Sequence, residues 1–241
     1  MAKHTQVVAF DIYGTLLDTS SISRALEEHL SLDKEKAAEL SALWRRYQLE
    51  YTWRLNSMNE YEPFDIVTRK SLQHALTESL IAFNESIINH LMNSYNVLPC
   101  FADTKSTLDN LKSLQSVQTL VFSNGTETMV QSALKAASIS SMADSIFVAD
   151  TVKKYKPSPD IYAGLVKAVG KEANLKQCWL VSGNPFDVTG ALNFGMNAIW
   201  VDRQRKGWSD SLLPIGGRQA AEPTKIVHGL GEVYEYMASL L

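Results

Sequence analysis

Four short stretches of the sequence carry residue types able to act together on an electrophilic carbon or a small anion. Phe10-Asp11-Ile12-Tyr13-Gly14-Thr15 places a carboxylate where an apolar run gives way to a glycine turn. Ser123-Asn124-Gly125 offers a hydroxyl and an amide, and Tyr155-Lys156-Pro157 an ammonium. Ser182-Gly183-Asn184-Pro185-Phe186-Asp187 adds a hydroxyl, an amide and a second carboxylate. Taken alone, Asp11 is equally a turn cap, a common use of Asp, and a reactive group. Its neighbours tip the balance. A lysine close to a carboxylate favours the ionised form, and a carboxylate attacks only when ionised.

These four stretches can meet only if they leave one edge of the same sheet. Short apolar runs over 6–11, 118–123, 145–149, 178–182 and 198–201 read as strands, rich in Val, Ile, Leu and Phe as strands buried on both faces should be. Helical patterns over 128–137, 159–169 and 188–194 alternate with the last four. The pattern predicts an α/β fold, a parallel sheet covered by helices on both faces, whose ligands would bind at the carboxyl ends of the strands. Pro157 and Pro159 stand at the start of the 159–169 helix, where a missing N–H does no harm. The alternation breaks once. Between about 17 and 98 the sequence gives no strand, only helical patterns over 22–30, 34–58, 63–82 and 85–95. That is more than a βα crossover holds, so an inserted helical cap over 18–97 is expected, with 1–17 and 98–241 forming the core. Residues 207–223, with Gly207, Pro214, Gly216, Gly217 and Pro223, read as a loop before a last helix over 230–241.

Composition narrows the function. The 241 residues are 45% hydrophobic and 20% charged, and 23 Lys and Arg against 26 Asp and Glu leave a formal charge of −3. This is the balance of an ordinary folded protein and argues against a nucleic-acid surface. No apolar run reaches the roughly 20 residues of a membrane span, and the run after the amino terminus is too short for a signal peptide. Cys100 and Cys178 form no CxxC or Cys/His cluster, so two thiols in a reducing cytoplasm are expected rather than a disulfide framework or zinc.

The arrangement resembles the haloacid dehalogenase-like (HAD) superfamily over the whole chain, sheet and cap together, which implies its Rossmannoid core. Most members of that superfamily are phosphatases with a second Asp two residues after the nucleophile. Tyr13 stands there instead and cannot protonate a leaving alcohol at neutral pH. Phosphatases also carry an acidic pair after the fourth strand to hold Mg²⁺; the matching positions are Gly183 and Asp187, so one carboxylate ligand is missing. The same departures resemble the (S)-2-haloacid dehalogenases, also called L-2-haloacid dehalogenases. Asp11–Thr15 matches that family's Asp-x-Tyr-Gly-Thr, 123–125 its Ser-Asn-Gly and 155–157 its Tyr-Lys-Pro, with a tyrosine following at Tyr162. Ser182, Asn184, Phe186 and Asp187 match Ser-x-Asn-x-aromatic-Asp. In the cap, Leu43-Trp44-Arg45 followed by Gln48-Leu49-Glu50-Tyr51-Thr52-Trp53 matches as well.

The resemblance implies a role for each position. Asp11 would displace halide from C2 of a short 2-haloalkanoate, leaving an ester on its own side chain. Arg45 and Asn124 would receive the halide, with Phe186 making that pocket apolar. The Ser123 hydroxyl and the backbone N–H groups of Ile12 and Tyr13 would hold the substrate carboxylate. Asp187 would be the base for ester hydrolysis, Asn184 would position the water, and Lys156 would stabilise charge around Asp11. Thr15, Ser182 and Tyr162 would orient these groups. No metal or cofactor enters. The implied partner is the small haloacid alone, with neither nucleic acid nor membrane; family members are often homodimers, which cap aromatics would suit.

Other residues call for less. Arg46, Lys153 and Lys154 read as solvated, Asp18 as a cap, and Leu49, Trp53 and Met58 as a core stripe. His4, His74, His90 and His228 have no partner motif. Two rivals remain: a HAD phosphatase with a degraded metal motif, and a non-catalytic HAD scaffold that binds a small carboxylate.

Overall fold

The computed structural model describes residues 6–141, 143–215 and 222–241. Among the described residues the five apolar runs and the short segment 225–227 form six parallel strands: β1 (Gln6–Phe10), β2 (Val117–Ser123), β3 (Ser145–Val148), β4 (Cys178–Ser182), β5 (Asn197–Val201) and β6 (Lys225–Val227), in the order β3-β2-β1-β4-β5-β6. The central β1 is paired on both edges, and Val7, Val8, Ala9 and Phe10 are all buried. Its register aligns Phe10 with both Val121 and Val181. Asp11 therefore leaves the sheet beside the ends of β2 and β4, its N–H still bonded to Val181 O at 3.0 Å.

Nine α-helices are found among the described residues: α1 (Ser21–Leu30), α2 (Lys34–Met58), α3 (Phe64–Glu78), α4 (Glu85–Tyr95), α5 (Thr104–Lys112), α6 (Glu127–Ala136), α7 (Pro159–Ala168), α8 (Pro185–Phe194) and α9 (Leu230–Ser239). The strand order reverses at β1, so right-handed crossovers put α5 and α6 on one face and α7 and α8 on the other, while α9, which follows the last strand, joins the first face through α5. Accordingly α5 packs on α9 and α7 on α8.

Helices α1 to α4 pack on one another above the carboxyl ends of the strands. Capping starts two of them: Asp33 accepts from Lys36 N and Asn84 from Ile87 N, each such cap contributing about 1 kcal/mol. The interior of this bundle is Leu26, Leu40, Trp44, Phe64, Leu72, Leu76 and Leu91, all buried; each contributes roughly 2 kcal/mol by leaving water. The chain leaves and re-enters the sheet side by side, with Leu17 bridged to Cys100 and Asp18 N bonded to Pro99 O. A second seam forms at Tyr155. Its backbone N–H and C=O are both held by the Asn56 carboxamide, at 3.0 and 2.7 Å, and its ring stacks on Tyr61.

Some expectations need correction. The sequence suggests five strands and no helix between 98 and 118, whereas β6 and α5 are present. Only three residues long, β6 is too short to show alternation, and the Ser, Thr, Asn and Asp of α5 hide an apolar stripe of only Leu108 and Leu111. Helix α8 starts at Pro185 rather than 188, which brings Asp187 into its first turn. Trp53 and Met58 are 40% and 61% exposed, not core, because the 25-residue α2 outruns the bundle. Lys154 is half-buried and bonded to Asn59. Of the 207–223 loop, 216–221 lie outside the described residues.

Candidate active site

The four stretches meet at the carboxylate of Asp11, which is 7% exposed. Its two oxygens are treated differently. Oδ2 accepts from Asn184 Nδ2 at 2.7 Å, Thr15 Oγ1 at 3.0 Å and Ser182 Oγ at 3.5 Å. Among the described residues Oδ1 accepts only from Lys156 Nζ, at 3.2 Å. Three donors fix one oxygen in place while the other keeps lone pairs to spare. The donors are fixed in turn: Thr15 Oγ1 accepts from Gly183 N, and Ser182 Oγ from Asn184 N. Asn184 opens α8 as its N-cap residue, yet its side chain makes no cap bond and spends its Nδ2 on Asp11 and Tyr13 O.

Lys156 is 1% exposed and uses all three of its N–H donors on Asp11 Oδ1, Phe122 O at 2.7 Å and Asp187 Oδ2 at 2.7 Å. Burial of this kind is tolerated when the charge is paired and hydrogen-bonded. Asp187 is fully buried, and its Oδ1 accepts from Tyr162 OH at 2.8 Å. Burial, aided by the charge of Asp11, pushes the Asp187 carboxyl up to about 6; Lys156 and the Tyr162 hydroxyl limit that rise. Tyr162 both packs and bonds, its ring lying between Phe122 and Phe194.

The turn after β1 is tight. Ile12 O accepts the N–H groups of Thr15, Leu16 and Leu17, and Gly14 takes a φ of +83° that favours glycine. Among the described residues nothing accepts from the N–H groups of Ile12 and Tyr13, so the turn presents two backbone donors beside Asp11, an anion nest. Ser123 Oγ accepts from Gly125 N at 3.0 Å, leaving its own proton to donate. Asn124 Oδ1 accepts from Lys156 N at 2.9 Å, leaving its NH₂ group without a partner among the described residues. The Tyr13 phenol is buried and unpartnered among them; burial above all holds its pKa well above the usual value. The backbones of 14 and 183 also touch closely: a Cβ at Gly183 would stand 2.6 Å from Gly14 O.

The helical bundle contributes Arg45 from α2. Its Nη2 reaches Asn184 Oδ1 at 3.4 Å and its Nη1 donates to Gln48 Oε1 at 2.6 Å. A cavity of about 280 Å³ runs along this arginine, lined by Thr19, Ser20, Ser41, Trp44 and Tyr95. Phe186 sits on another side, its ring edge-on to Trp53 at 5.7 Å. These two rings, with Pro157, Pro159 and Leu212, border a cavity of about 650 Å³.

Comparison with known proteins points to a family. The haloacid dehalogenase-like hydrolases match over residues 5–195. The (S)-2-haloacid dehalogenase 4A of Burkholderia cepacia is 35% identical over 85% of this chain and 86% of its own. The (S)-2-haloacid dehalogenase of Pseudomonas fluorescens is 30% identical over 99% of both. The chain belongs to the (S)-2-haloacid dehalogenases. Among solved structures, the L-2-haloacid dehalogenase of Xanthobacter autotrophicus with chloropropionic acid covalently bound superposes with a TM-score of 0.84, at 27% identity over 98% of this chain and 99% of that one.

In this family member the expected residues Asp11, Thr15, Lys156, Ser182, Asn184, Asp187 and Tyr162 form one hydrogen-bonded cluster, which Arg45 joins through Asn184. Ile12, Tyr13, Ser123 and Asn124 border it from the β1 and β2 turns. Arg46 stays exposed against Glu78, and Asp18 Oδ1 caps Ser20 N. Sequence reasoning misses Arg203, which donates from Nη2 to Thr15 O at 3.2 Å and is clamped by Asp103. It includes Gln48 in the cap match but gives it no role, although Gln48 is buried behind Arg45, three residues away and thus on the same helix face.

Proposed function

We propose that this protein hydrolyses short (S)-2-haloalkanoic acids to (R)-2-hydroxyalkanoic acids and halide through an ester on Asp11. The carrying observation is the asymmetry of the Asp11 carboxylate, with Oδ2 held by three donors and Oδ1, among the described residues, by the lysine alone. Oδ1 is then the attacking atom. Its lone pair forms the bond to C2 while the carbon–halogen pair leaves with the halide, inverting the carbon. The substrate carboxylate sits on Ile12 N, Tyr13 N and the Ser123 hydroxyl. Negative charge moves from Asp11 to the halide, where Arg45 and the Asn124 NH₂ receive it, and Phe186 with Trp53 closes an apolar side. In the second step Asp187, ionised at neutral pH, takes a proton from water, whose oxygen attacks Asp11 Cγ. The Cγ–Oδ1 bond breaks and the departing alkoxide takes that proton. Asn184 orients the water, Lys156 stabilises the developing charge, and Thr15, Ser182 and Tyr162 hold these groups in place.

The reaction is read as metal-free and cofactor-free. Hydrogen-bond donors, not acceptors, surround Asp11 Oδ2, and the 2.6 Å approach at Gly183 leaves no room for a carboxylate there. Among the described residues no cluster of three His, Cys, Asp or Glu could hold a metal ion. The same reading makes 18–97 a cap that excludes bulk water and 1–17 with 98–241 the core, supported by the side-by-side connecting segments bridged at Leu17 and Cys100. Exposed Trp53, Ile66 and Phe83 suit a homodimer. The free thiols Cys100 and Cys178 suit a cytoplasmic protein, and no helix of the described residues is long and apolar enough to cross a membrane.

The test is halide release from (S)-2-chloropropionate by the purified protein, expected to persist in EDTA and to vanish in Asp11→Ala. A single turnover in ¹⁸O water should label the Asp11 carboxylate. Phosphate-ester hydrolysis that needs Mg²⁺, with no halide released from any chloro or bromo acid, would overturn the reading in favour of a phosphatase.

A further inference from the structure

An arginine that must meet a leaving halide is useful only if its guanidinium is already in place. Arg45 lies on a helix outside the sheet and touches the Asp11 cluster through one long contact, 3.4 Å to Asn184 Oδ1. What holds it is a chain of buried polar groups inside the helical bundle. Gln48 is fully buried, and its Oε1 accepts from Arg45 Nη1 at 2.6 Å and from Tyr95 OH at 3.1 Å. Its Nε2 donates to Thr68 Oγ1 at 2.8 Å, and Thr68 Oγ1 donates to Phe64 O at 2.6 Å.

The polarity of this chain is forced. Phe64 O can only accept, so the Thr68 proton points at it and the Thr68 lone pair faces Gln48. Gln48 must then present its N–H to Thr68 and its oxygen to Arg45; flipped, it would aim N–H at a guanidinium, donor against donor. Resting on the dehalogenase reading, we propose that Gln48 is a positioning residue that sets the Arg45 guanidinium over the departing halide, its orientation dictated by Thr68 and Tyr95. Three helices take part: α2 carries the pair, α3 supplies Thr68 and α4 ends on Tyr95. The bundle thereby transmits its own packing to the site, because Tyr95 also packs on Trp44 and on Tyr13.

The experiment compares wild type with Gln48→Leu, which keeps the volume and removes the polar link. It measures kcat/KM for (S)-2-chloropropionate and (S)-2-bromopropionate, thermal melting, and the crystal structure of the variant. Ser71→Ala is the control, removing a buried bond to Thr68 O that does not touch Arg45. Misplacing a reacting group by about 1 Å costs on the order of 100-fold, so Gln48→Leu should lower kcat/KM for the chloro acid ten- to a hundredfold. Bromide, the better leaving group, depends less on the arginine, so the chloro-to-bromo ratio should fall. The variant crystal should show Arg45 detached from Asn184. In an Arg45→Ala background, adding Gln48→Leu should change kcat/KM by less than about threefold, since coupled residues are not additive. Ser71→Ala should leave the ratio alone. If Gln48→Leu does not fold, Gln48→Glu keeps the shape and sets a carboxylate against Arg45, which should neutralise it and lower the same ratio. An unmoved Arg45 in the crystal, or an unchanged ratio in the folded variant, would overturn the proposal. A wild type that releases no halide would instead overturn the dehalogenase reading, while the crystal would still decide where Gln48 holds Arg45.

Discussion

Asp11, Asp187 and Lys156 form a buried group with two carboxylates and one ammonium, so it carries a net negative charge when both acids are ionised. Replacing Asp187 by Asn should therefore stabilise the fold at neutral pH while stopping turnover. Burial is the main reason that the Asp187 carboxyl moves from 3.8 to about 6. At about 1.36 kcal/mol per tenfold change in proton affinity, a rise of that size is on the order of 3 kcal/mol. Because the folded state binds the proton more tightly, this contribution is fully present below pH ~3.8 and lost as the pH rises through ~6. Asn mimics the protonated acid at every pH. Urea denaturation of both proteins at intervals from pH 4 to 8 should give similar stabilities near pH 4 and a variant more stable by ~3 kcal/mol above pH 7. The same variant should release about one equivalent of halide and then stall with the substrate carbon attached to Asp11, a mass shift readable on the intact protein. A stability difference that stays constant across this range, or a variant less stable at pH 8, would refute the electrostatic reasoning; continuous turnover would refute the role of base.

Further outcomes follow from the same geometry. In wild type, the rate of ester cleavage should fall as the pH drops through ~6, since a general base must be ionised, a limb measurable in a single-turnover pH series. Tyr162→Phe removes a hydrogen bond that lowers the Asp187 carboxyl, so that limb should shift to higher pH. Lys156→Met leaves two buried carboxylates without their cation, and breaking a buried pair in this way costs ~3–5 kcal/mol; halide release should disappear and the melting temperature drop. Gly190→Ala drives a methyl into Tyr162 OH and to 2.6 Å from Pro157 Cβ, an overpacking that should cost ~1–3 kcal/mol in a denaturation experiment. Dialysis against EDTA should leave chloride release unchanged.

Local sequence and tertiary structure divide the explanation of this protein between them. Apolar runs and caps are local signals, so the central strands, the helices of the bundle and the break at about 17–98 are legible without coordinates. Part of the candidate site is legible too, because Asp11, Asn124 and Asn184 sit where such a run stops and a turn begins, whereas Arg45 and Lys156 are marked only by the motifs around them. Weak local signals hide α5 and β6, and the exposed ends of α2 mislead about Trp53 and Met58. The partners of each side chain are another matter, being distant in sequence. Arg203 reaches Thr15 O across 188 positions, and Asn184 reaches Asp11 across 173. Residue type alone makes Asp11 a carboxylate and Gln48 an amide. Only the register of β1 with β2 and β4, and the packing of the bundle above them, decide which oxygen of Asp11 keeps spare lone pairs and which way Gln48 points, because hydrogen-bond polarity is settled by neighbours that the chain brings together in three dimensions.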